Sequence, residues 1–239
     1  MRFDIITIFP DIFDSYLNES ILKRAQVKKL IQIKIHNLRD FTKDKHKKVD
    51  DRPYGGGPGM VIRVEPVVKA IASILNSKSS NSKFKILNSK QIPNSKFKKI
   101  KIILFTPTGK QFDNKIAHQL AKNYEHLILI CGRYEGIDER VKKVILDLGF
   151  KVLNLSIGPY VLTGGELPAM VLIDAVARQI PGVLGKKESV EEKRLGVGVP
   201  VYTRPEIFIF KNKKYKVPKV LLSGDHKEII AWREGHRYS

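Results

Sequence analysis

The sequence holds a single cysteine and no long apolar run. With Cys131 alone, neither an internal disulfide nor a cysteine-based metal cluster can form. No stretch approaches the roughly 18 consecutive apolar residues of a membrane span. Charge interrupts the first ten residues, unlike the apolar core of a signal peptide. We therefore expect a cytoplasmic protein without a membrane anchor.

Acidic residues are scarce relative to basic ones. The chain has 24 Asp and Glu against 44 Lys and Arg, which gives a formal net charge of +20. A field of this sign attracts polyanions and speeds encounters with them. The charge favours nucleic acid as the partner, although an anionic membrane surface or a generally lysine-rich composition would account for the same excess.

Residues 50–60 have the most unusual composition, because glycine and proline make up much of the segment. Glycine lets backbone N–H groups approach a ligand closely, and proline holds the backbone rigid. The segment is not a Walker nucleotide loop, since no Gly-Lys-Ser or Gly-Lys-Thr follows its glycines. It predicts a ligand-contacting surface, and the alternative is a mobile surface loop.

Short apolar runs alternate with amphipathic stretches over the first 180 residues. Helices are predicted between strands, notably at 65–75 and 166–180. The predicted strands are 5–9, 31–35, 100–105, 127–131 and 152–155. Such alternation is typical of an α/β domain with a mostly parallel sheet.

Three predicted strands run directly into loops that contain glycine. The loops are 106–109, 132–136 and 157–165. Ligands of open α/β sheets bind beyond the carboxyl ends of the strands. The three loops are therefore expected to converge on one pocket.

Two segments interrupt this pattern. Residues 76–99 repeat Asn-Ser-Lys and are predicted to be a low-complexity, partly disordered insertion. Residues 185–200 are polar and predict a linker. The chain is thus divided into a first domain at 1–184 and a small second domain at 201–239, with a helix at 225–233.

Three motif segments together resemble one family, the bacterial tRNA (guanine-N1)-methyltransferases. They are Lys45-His46-Lys47 with 49–60, the segment 129–140, and 156–158 with 160–170. The likeness continues through 172–178, 180–185, 202–206 and 223–233, and it covers nearly the whole chain except the 76–99 insertion. It implies a SPOUT-class α/β fold with a deep trefoil knot, a small helical C-terminal domain, S-adenosylmethionine as cofactor, and a homodimer.

The resemblance also implies a reaction and a set of site residues. The family methylates N1 of the tRNA guanosine immediately 3′ of the anticodon. The resemblance implies tRNA contacts at Asp50, Arg52, Tyr54, Gly55 and Gly59. The positions that correspond to its cofactor loops are Phe105, Pro107, Gly132, Tyr134, Glu135, Ile157, Gly158, Pro159, Tyr160, Val161, Leu162, Gly164 and Gly165.

Chemistry adds a requirement to that reaction. Guanine N1 carries a proton at neutral pH, so its methylation needs a base and a cation that stabilises the resulting negative charge. Arg178 matches the family's arginine at this task, and a guanidinium stays charged at any working pH. The methyl group of a sulfonium is already activated, so the remaining requirement is alignment and exclusion of water.

Two positions depart from the family pattern. Pro159 stands where the family usually has Asp, and Lys193 stands where the family has its catalytic Asp. We expect the adjacent Glu192 to serve as the base, with Asp174 the next candidate. The C-terminal domain is also expected to be shorter than in the family.

Two other functions remain compatible with these residues. A SPOUT methyltransferase acting on ribosomal RNA would share the cofactor loops, although the glycine-rich segment and Tyr202-Thr203-Arg204-Pro205-Glu206 fit the tRNA enzymes. An inactive RNA-binding descendant that keeps the cofactor pocket would account for Pro159 and Lys193.

Overall fold

A computed structural model describes residues 1–76, 99–185 and 198–236. The chain divides into two compact units, residues 1–184 and 185–239. Most of the predicted insertion (residues 77–98) and most of the predicted linker (residues 186–197) lie outside the described residues. The helices and strands of the first unit are β1 (Arg2–Thr7), α1 (Asp14–Leu17), α2 (Ser20–Val27), β2 (Gln32–Asn37), β3 (Asp50–Asp51), β4 (Val61–Ile62), α3 (Val64–Asn76), β5 (Ile100–Gln111), α4 (Asn114–Asn123), β6 (His126–Ile130), α5 (Arg140–Asp147), β7 (Val152–Ser156) and α6 (Glu166–Ala177).

Five strands of the first unit form one parallel sheet in the order β2, β1, β6, β5, β7. The central strands are apolar on both faces, and every residue of β6 is buried. Parallel sheets bury both faces under helices, so such strands are continuously apolar. The predicted α/β fold with a mostly parallel sheet is confirmed.

Helices cover both faces of this sheet. On one face α2, α4 and α6 pack their apolar residues against β1, β5 and β6. On the other face α3 and α5 do the same, with Ile71 and Ile145 fully buried. The two cores lie on opposite faces of the sheet, so the helices do not cover the loops at the ends of the strands.

Strand β5 is longer than the sequence predicted. It pairs with β7 up to Phe105, leaves the register over four residues, and pairs again from Lys110. Gly109 lies in this excursion, where a Cβ would come within 2.6 Å of the Leu155 backbone. Only glycine allows the backbone of β5 to run this close to β7, so the loop after Phe105 is held against β7.

A buried polar cluster lies within the sheet. The Asp4 carboxylate has no exposed side-chain area and accepts hydrogen bonds from Arg2, His36 and His126. Burial alone would raise the pKa of Asp4, but the hydrogen bonds from His126, His36 and Arg2 outweigh it and hold that pKa well below its usual range. The charge of Asp4 is therefore compensated by partners on three strands.

The second unit contains a β-hairpin followed by a helix. Strands β8 (Ile207–Phe210) and β9 (Lys213–Lys216) pair antiparallel, and helix α7 spans His226–Gly235. The Asp225 side chain accepts hydrogen bonds from the amides of Lys227 and Glu228, which caps the first turn of α7. The predicted helix is present, whereas the hairpin was not predicted. Over the described ranges no helix is long and apolar enough to cross a membrane.

Candidate active site

A cleft of about 590 Å³ opens at the carboxyl ends of β5, β6 and β7. Its size lies in the range of small-molecule pockets. The three glycine-containing loops of the sequence analysis form its walls. The sequence-predicted cofactor residues that line it are Phe105, Pro107, Gly132, Tyr134, Glu135, Ile157, Gly158, Tyr160, Val161, Leu162, Gly164 and Gly165. Pro159 is exposed and is not among the lining residues.

Backbone hydrogen bonds join two of these loops. The amide of Gly165 donates to the carbonyl of Gly132 over 2.9 Å, and Arg133 and Gly164 form an isolated antiparallel bridge. A Cβ on Gly165 would lie 2.7 Å from the Cα of Cys131. The loops therefore touch at a point where no side chain fits, and this contact forms the floor of the cleft.

A buried carboxylate fixes the same two loops to β1. Glu166, at the start of α6, is 2% exposed and accepts hydrogen bonds from the Thr7 hydroxyl at 2.8 Å and the Arg133 Nε at 3.1 Å. The Arg133 guanidinium also lies over the Phe9 ring, 4.7 Å from its centroid. The Glu166 carboxylate thus joins β1, through the hydrogen bond from Thr7, to the loop after β6, through the ion pair with Arg133.

The thiol beside this contact is not available for chemistry. Cys131 is 2% exposed and follows β6 directly. Burial and the nearby charge of Glu166 raise the pKa of the Cys131 thiol well above its usual value. It acts as a small apolar residue behind the cleft.

The glycine-rich segment lies against the cleft. The amide of Glu135 donates to the carbonyl of Met60 and the amide of Ile62 donates to the carbonyl of Gly136, each over 3.0 Å. A Cβ on Gly59 would come within 2.5 Å of the Glu135 carboxylate. The structure thus brings the segment predicted to contact tRNA beside the loop predicted to hold the cofactor.

Four of the predicted tRNA contacts in this segment are exposed, and Asp50 is half-buried. Asp50 pairs with Ile62 in the short β3–β4 ribbon, which supports the segment at its base. Gly55 and Gly59 have φ of +86° and +85°, a conformation that side chains disfavour. Arg52 is exposed, and Tyr54 is 98% exposed. An exposed aromatic ring beside a glycine-rich backbone leaves a flat surface for a planar ligand.

Three carboxylates line the cleft: Glu135, Asp138 and Glu139. Asp138 is held by Arg140, whose hydrogen bonds lower the pKa of that carboxyl. Glu139 accepts a hydrogen bond from the Lys142 ammonium at 2.7 Å. Glu135 has neither a side-chain hydrogen bond nor an ion pair to any residue that the structure describes. Of the three, Glu135 is therefore the carboxylate that has no partner among the described residues.

The structure does not bring Arg178 to this cleft. Arg178 caps the C-terminal end of α6, whereas the N-terminal end of α6 borders the cleft. Twelve helical residues place these ends about 18 Å apart. Glu192 and Lys193 lie outside the described residues, so their positions relative to the cleft are not defined.

Sequence reasoning missed Thr7, Arg133 and Glu166. Arg133 stands inside the Gly-Arg-Tyr-Glu-Gly loop, and its partner Glu166 is 33 residues away, so the local sequence does not reveal the pair. The signal for Glu166 was a single carboxylate at the start of an otherwise apolar helix, directly after two glycines. No grouping of His, Cys, Asp and Glu suited to a metal ion occurs within 1–76, 99–185 or 198–236.

Comparison with known proteins shows relatives that match nearly the whole chain and are themselves longer. The family described as tRNA (Guanine-1)-methyltransferase TrmD matches residues 1–239. The tRNA (guanine-N(1)-)-methyltransferase of Dictyoglomus turgidum is 48% identical over 236 residues, which cover 98% of this chain and 83% of the relative. The proteins of that name from Carboxydothermus hydrogenoformans and Thermomicrobium roseum are each 47% identical, covering 98% of this chain and 81% and 77% of their own lengths. The chain belongs to the TrmD family of tRNA (guanine-1)-methyltransferases.

Proposed function

We propose that this chain transfers the methyl group of S-adenosylmethionine to N1 of the tRNA guanosine immediately 3′ of the anticodon. The observation that carries the proposal is a family match over the whole chain combined with a cleft walled by the three loops that the family uses for its cofactor. The excess of basic residues favours the polyanionic substrate.

The residues of the cleft suit this cofactor. Phe105 and Leu162 supply apolar walls, while the backbone around Gly132 and Gly158 offers amide and carbonyl groups for a heterocycle and an amino acid. The Ser156 hydroxyl donates to the Gly158 carbonyl and accepts from the Gly158 amide, which fixes the backbone of that loop. Bound there, the sulfonium supplies an activated methyl group, so the protein has to align it with guanine N1 and exclude water.

We assign the cation of the reaction to Arg178 of a partner subunit. Arg178 lies about 18 Å along α6 from the cleft of its own subunit, so a second copy is the natural source of a guanidinium at the substrate. The guanidinium would stabilise the guanine after N1 has lost its proton. This assignment makes the active unit a homodimer.

An exposed apolar face supports the homodimer. It consists of Phe9, Ile12, Tyr16, Leu167 and Val171, which are between 38% and 54% exposed and come from residues 9–16 and α6. The Tyr16 hydroxyl donates to the Asp174 carboxylate at 2.8 Å, and this hydrogen bond raises the pKa of Tyr16. Contiguous apolar surface of this kind is typical of protein interfaces. A dimer through this face would carry α6, and with it Arg178, across the interface.

We propose Glu192 as the base that takes the N1 proton. Lys193 stands at the position of the family's catalytic Asp, and an ammonium with a normal pKa near 10.4 cannot accept that proton at neutral pH. Glu192 is adjacent in sequence, and its longer side chain compensates for the shift by one position. Glu135, beside Gly59 in the cleft, is the competing candidate.

We further propose that the first unit carries the family's trefoil knot. The loops after β6 and before α6 hydrogen-bond to each other at Gly132 and Gly165, and this close contact between the two segments supports the proposal. We also propose that the second unit contributes to tRNA binding.

An inactive RNA-binding descendant is the second candidate function. Lys193 favours it, because the family's base is replaced by a cation. Transfer of a labelled methyl group from S-adenosylmethionine to tRNA decides between the two. Transfer supports the enzyme, and binding of both ligands without transfer supports the descendant.

A further inference from the structure

The second unit presents a β-hairpin that is exposed on both faces. Every residue of β8 and β9 is exposed, including three aromatic residues. Isolated two-stranded hairpins that bury nothing are only marginally stable. Apolar surface of this extent is characteristic of a binding site for another molecule.

The two faces of the hairpin differ in chemistry. Phe208 lies opposite Tyr215, and Phe210 lies opposite Lys213. Because side chains alternate along a strand, these four residues share one side. We call it the aromatic face: Phe208, Phe210, Lys213 and Tyr215. The remaining strand residues form the aliphatic face: Ile207, Ile209, Lys214 and Lys216.

Local geometry holds the aromatic face in place. The turn residues Lys211 and Asn212 have φ of 46° and 60°, the pattern of a two-residue type I′ turn that matches the twist of paired strands. The rings of Phe208 and Tyr215 lie 6.4 Å apart, with 39° between their planes. The Lys213 ammonium lies 5.5 Å from the centre of the Tyr215 ring. Rings and cation are therefore displayed together before any ligand arrives.

The charge around the hairpin selects the ligand class. Residues 207–222 include five lysines and no Asp or Glu. The three aromatic side chains on the aromatic face are 48% to 56% exposed. Exposed rings interleaved with cations bind single-stranded nucleic acid, since bases stack on the rings while lysines contact the phosphates.

We propose that the aromatic face stacks on unpaired bases of tRNA while Lys213 contacts an adjacent phosphate. The proposal rests on the proposed function for the identity of the RNA, but it does not depend on methyl transfer. It assigns the second unit a sequence-tolerant contact with a tRNA loop, made by residues other than those that line the cleft.

The test compares matched variants of the full chain on the two faces. Phe210→Ala is paired with Ile209→Ala, and Lys213→Gln with Lys214→Gln. Binding to a labelled tRNA transcript is measured by fluorescence anisotropy at several salt concentrations, with a fully paired RNA duplex as second probe. All of these side chains are exposed, so the fold should persist. Unchanged S-adenosylmethionine affinity checks the first unit, and the matched substitution Ile209→Ala on the same strand checks that the hairpin tolerates the loss of a side chain.

Phe210→Ala should weaken tRNA binding about 10-fold, within the range of one base–aromatic stack. Phe210→Tyr should restore it, and duplex binding should not change. Lys213→Gln should lower the slope of log K against log salt by about 0.7 to 0.9. Ile209→Ala and Lys214→Gln should leave both quantities nearly unchanged.

Three results would overturn the inference. Equal effects on the two faces would show non-specific attraction, and no effect of Phe210→Ala on tRNA would show that the face does not touch RNA. A change in sedimentation with unchanged tRNA binding would identify the face as a contact between copies of the chain. Wild-type chain that binds tRNA through this face but transfers no methyl group would refute the proposed function and leave this inference standing.

Discussion

Substituting Gly165 by alanine tests the contact that joins the two cofactor loops. The added Cβ would lie 2.7 Å from the Cα of Cys131 and 3.0 Å from the amide nitrogen of Gly132. Both are backbone atoms, so neither can rotate away as a flexible side chain would. Relief requires the loops to separate, which stretches the 2.9 Å hydrogen bond from Gly165 to Gly132.

The magnitude follows from the cost of overpacking. Inserting a methyl group into close-packed backbone costs about 1 to 3 kcal/mol. Because the same loops line the cleft, we expect the affinity for S-adenosylmethionine to fall by about 10-fold or more. Isothermal titration calorimetry measures that affinity, and thermal unfolding measures the accompanying loss of stability.

The control is Gly235→Ala, at the end of α7. A Cβ there meets no atom within 4 Å, and the position is helical. Its affinity for S-adenosylmethionine should equal that of the wild type. If Gly165→Ala binds as tightly as this control and unfolds at the same temperature, the reasoning about loop contact is refuted.

Three further predictions concern stability and catalysis. Asp4→Asn removes the charge that three partners compensate and should lower the free energy of unfolding by about 3 kcal/mol. The lowered pKa of Asp4 stabilises the wild type above about pH 3.9, and that contribution disappears as the pH falls. A denaturation series over pH should therefore show that Asp4→Asn loses less stability in acid than the wild type. Normal acid sensitivity in Asp4→Asn would contradict this. Arg178→Gln should lower single-turnover methyl transfer about 10²-fold while S-adenosylmethionine binding is unchanged; a fall in cofactor affinity of the same size would remove Arg178 from the reaction. Glu192→Gln should cost about 10²-fold in the same assay, and if Glu135→Gln is the damaging change instead, the base lies in the cleft.

The parallel sheet was predictable because its strands are short apolar runs that differ sharply from their surroundings. Leu127 to Ile130 is buried on both faces and is apolar throughout. Helix α4 was missed because six of its ten residues are polar, although Asp113 caps it by accepting a hydrogen bond from the Ile116 amide. The hairpin in the second unit was missed because burial, the usual source of strand patterning, is absent there.

The cleft was predictable in outline but not in detail. Loops after parallel strands converge by topology, so the positions of Gly132 and Gly165 follow from the fold class. The bond between Thr7 and Glu166 spans 159 residues and depends on β1 lying next to β6. Local pattern contains no information about strand order, so this contact required the structure.

Methyl transfer to defined tRNA transcripts tests the central claim most directly. The wild-type chain is incubated with labelled S-adenosylmethionine and a transcript that has guanosine immediately 3′ of the anticodon, or adenosine at that position. The account predicts label at N1 of that guanosine and none in the adenosine transcript. Equal labelling of both transcripts, or no labelling while tRNA and cofactor are both bound, would contradict it.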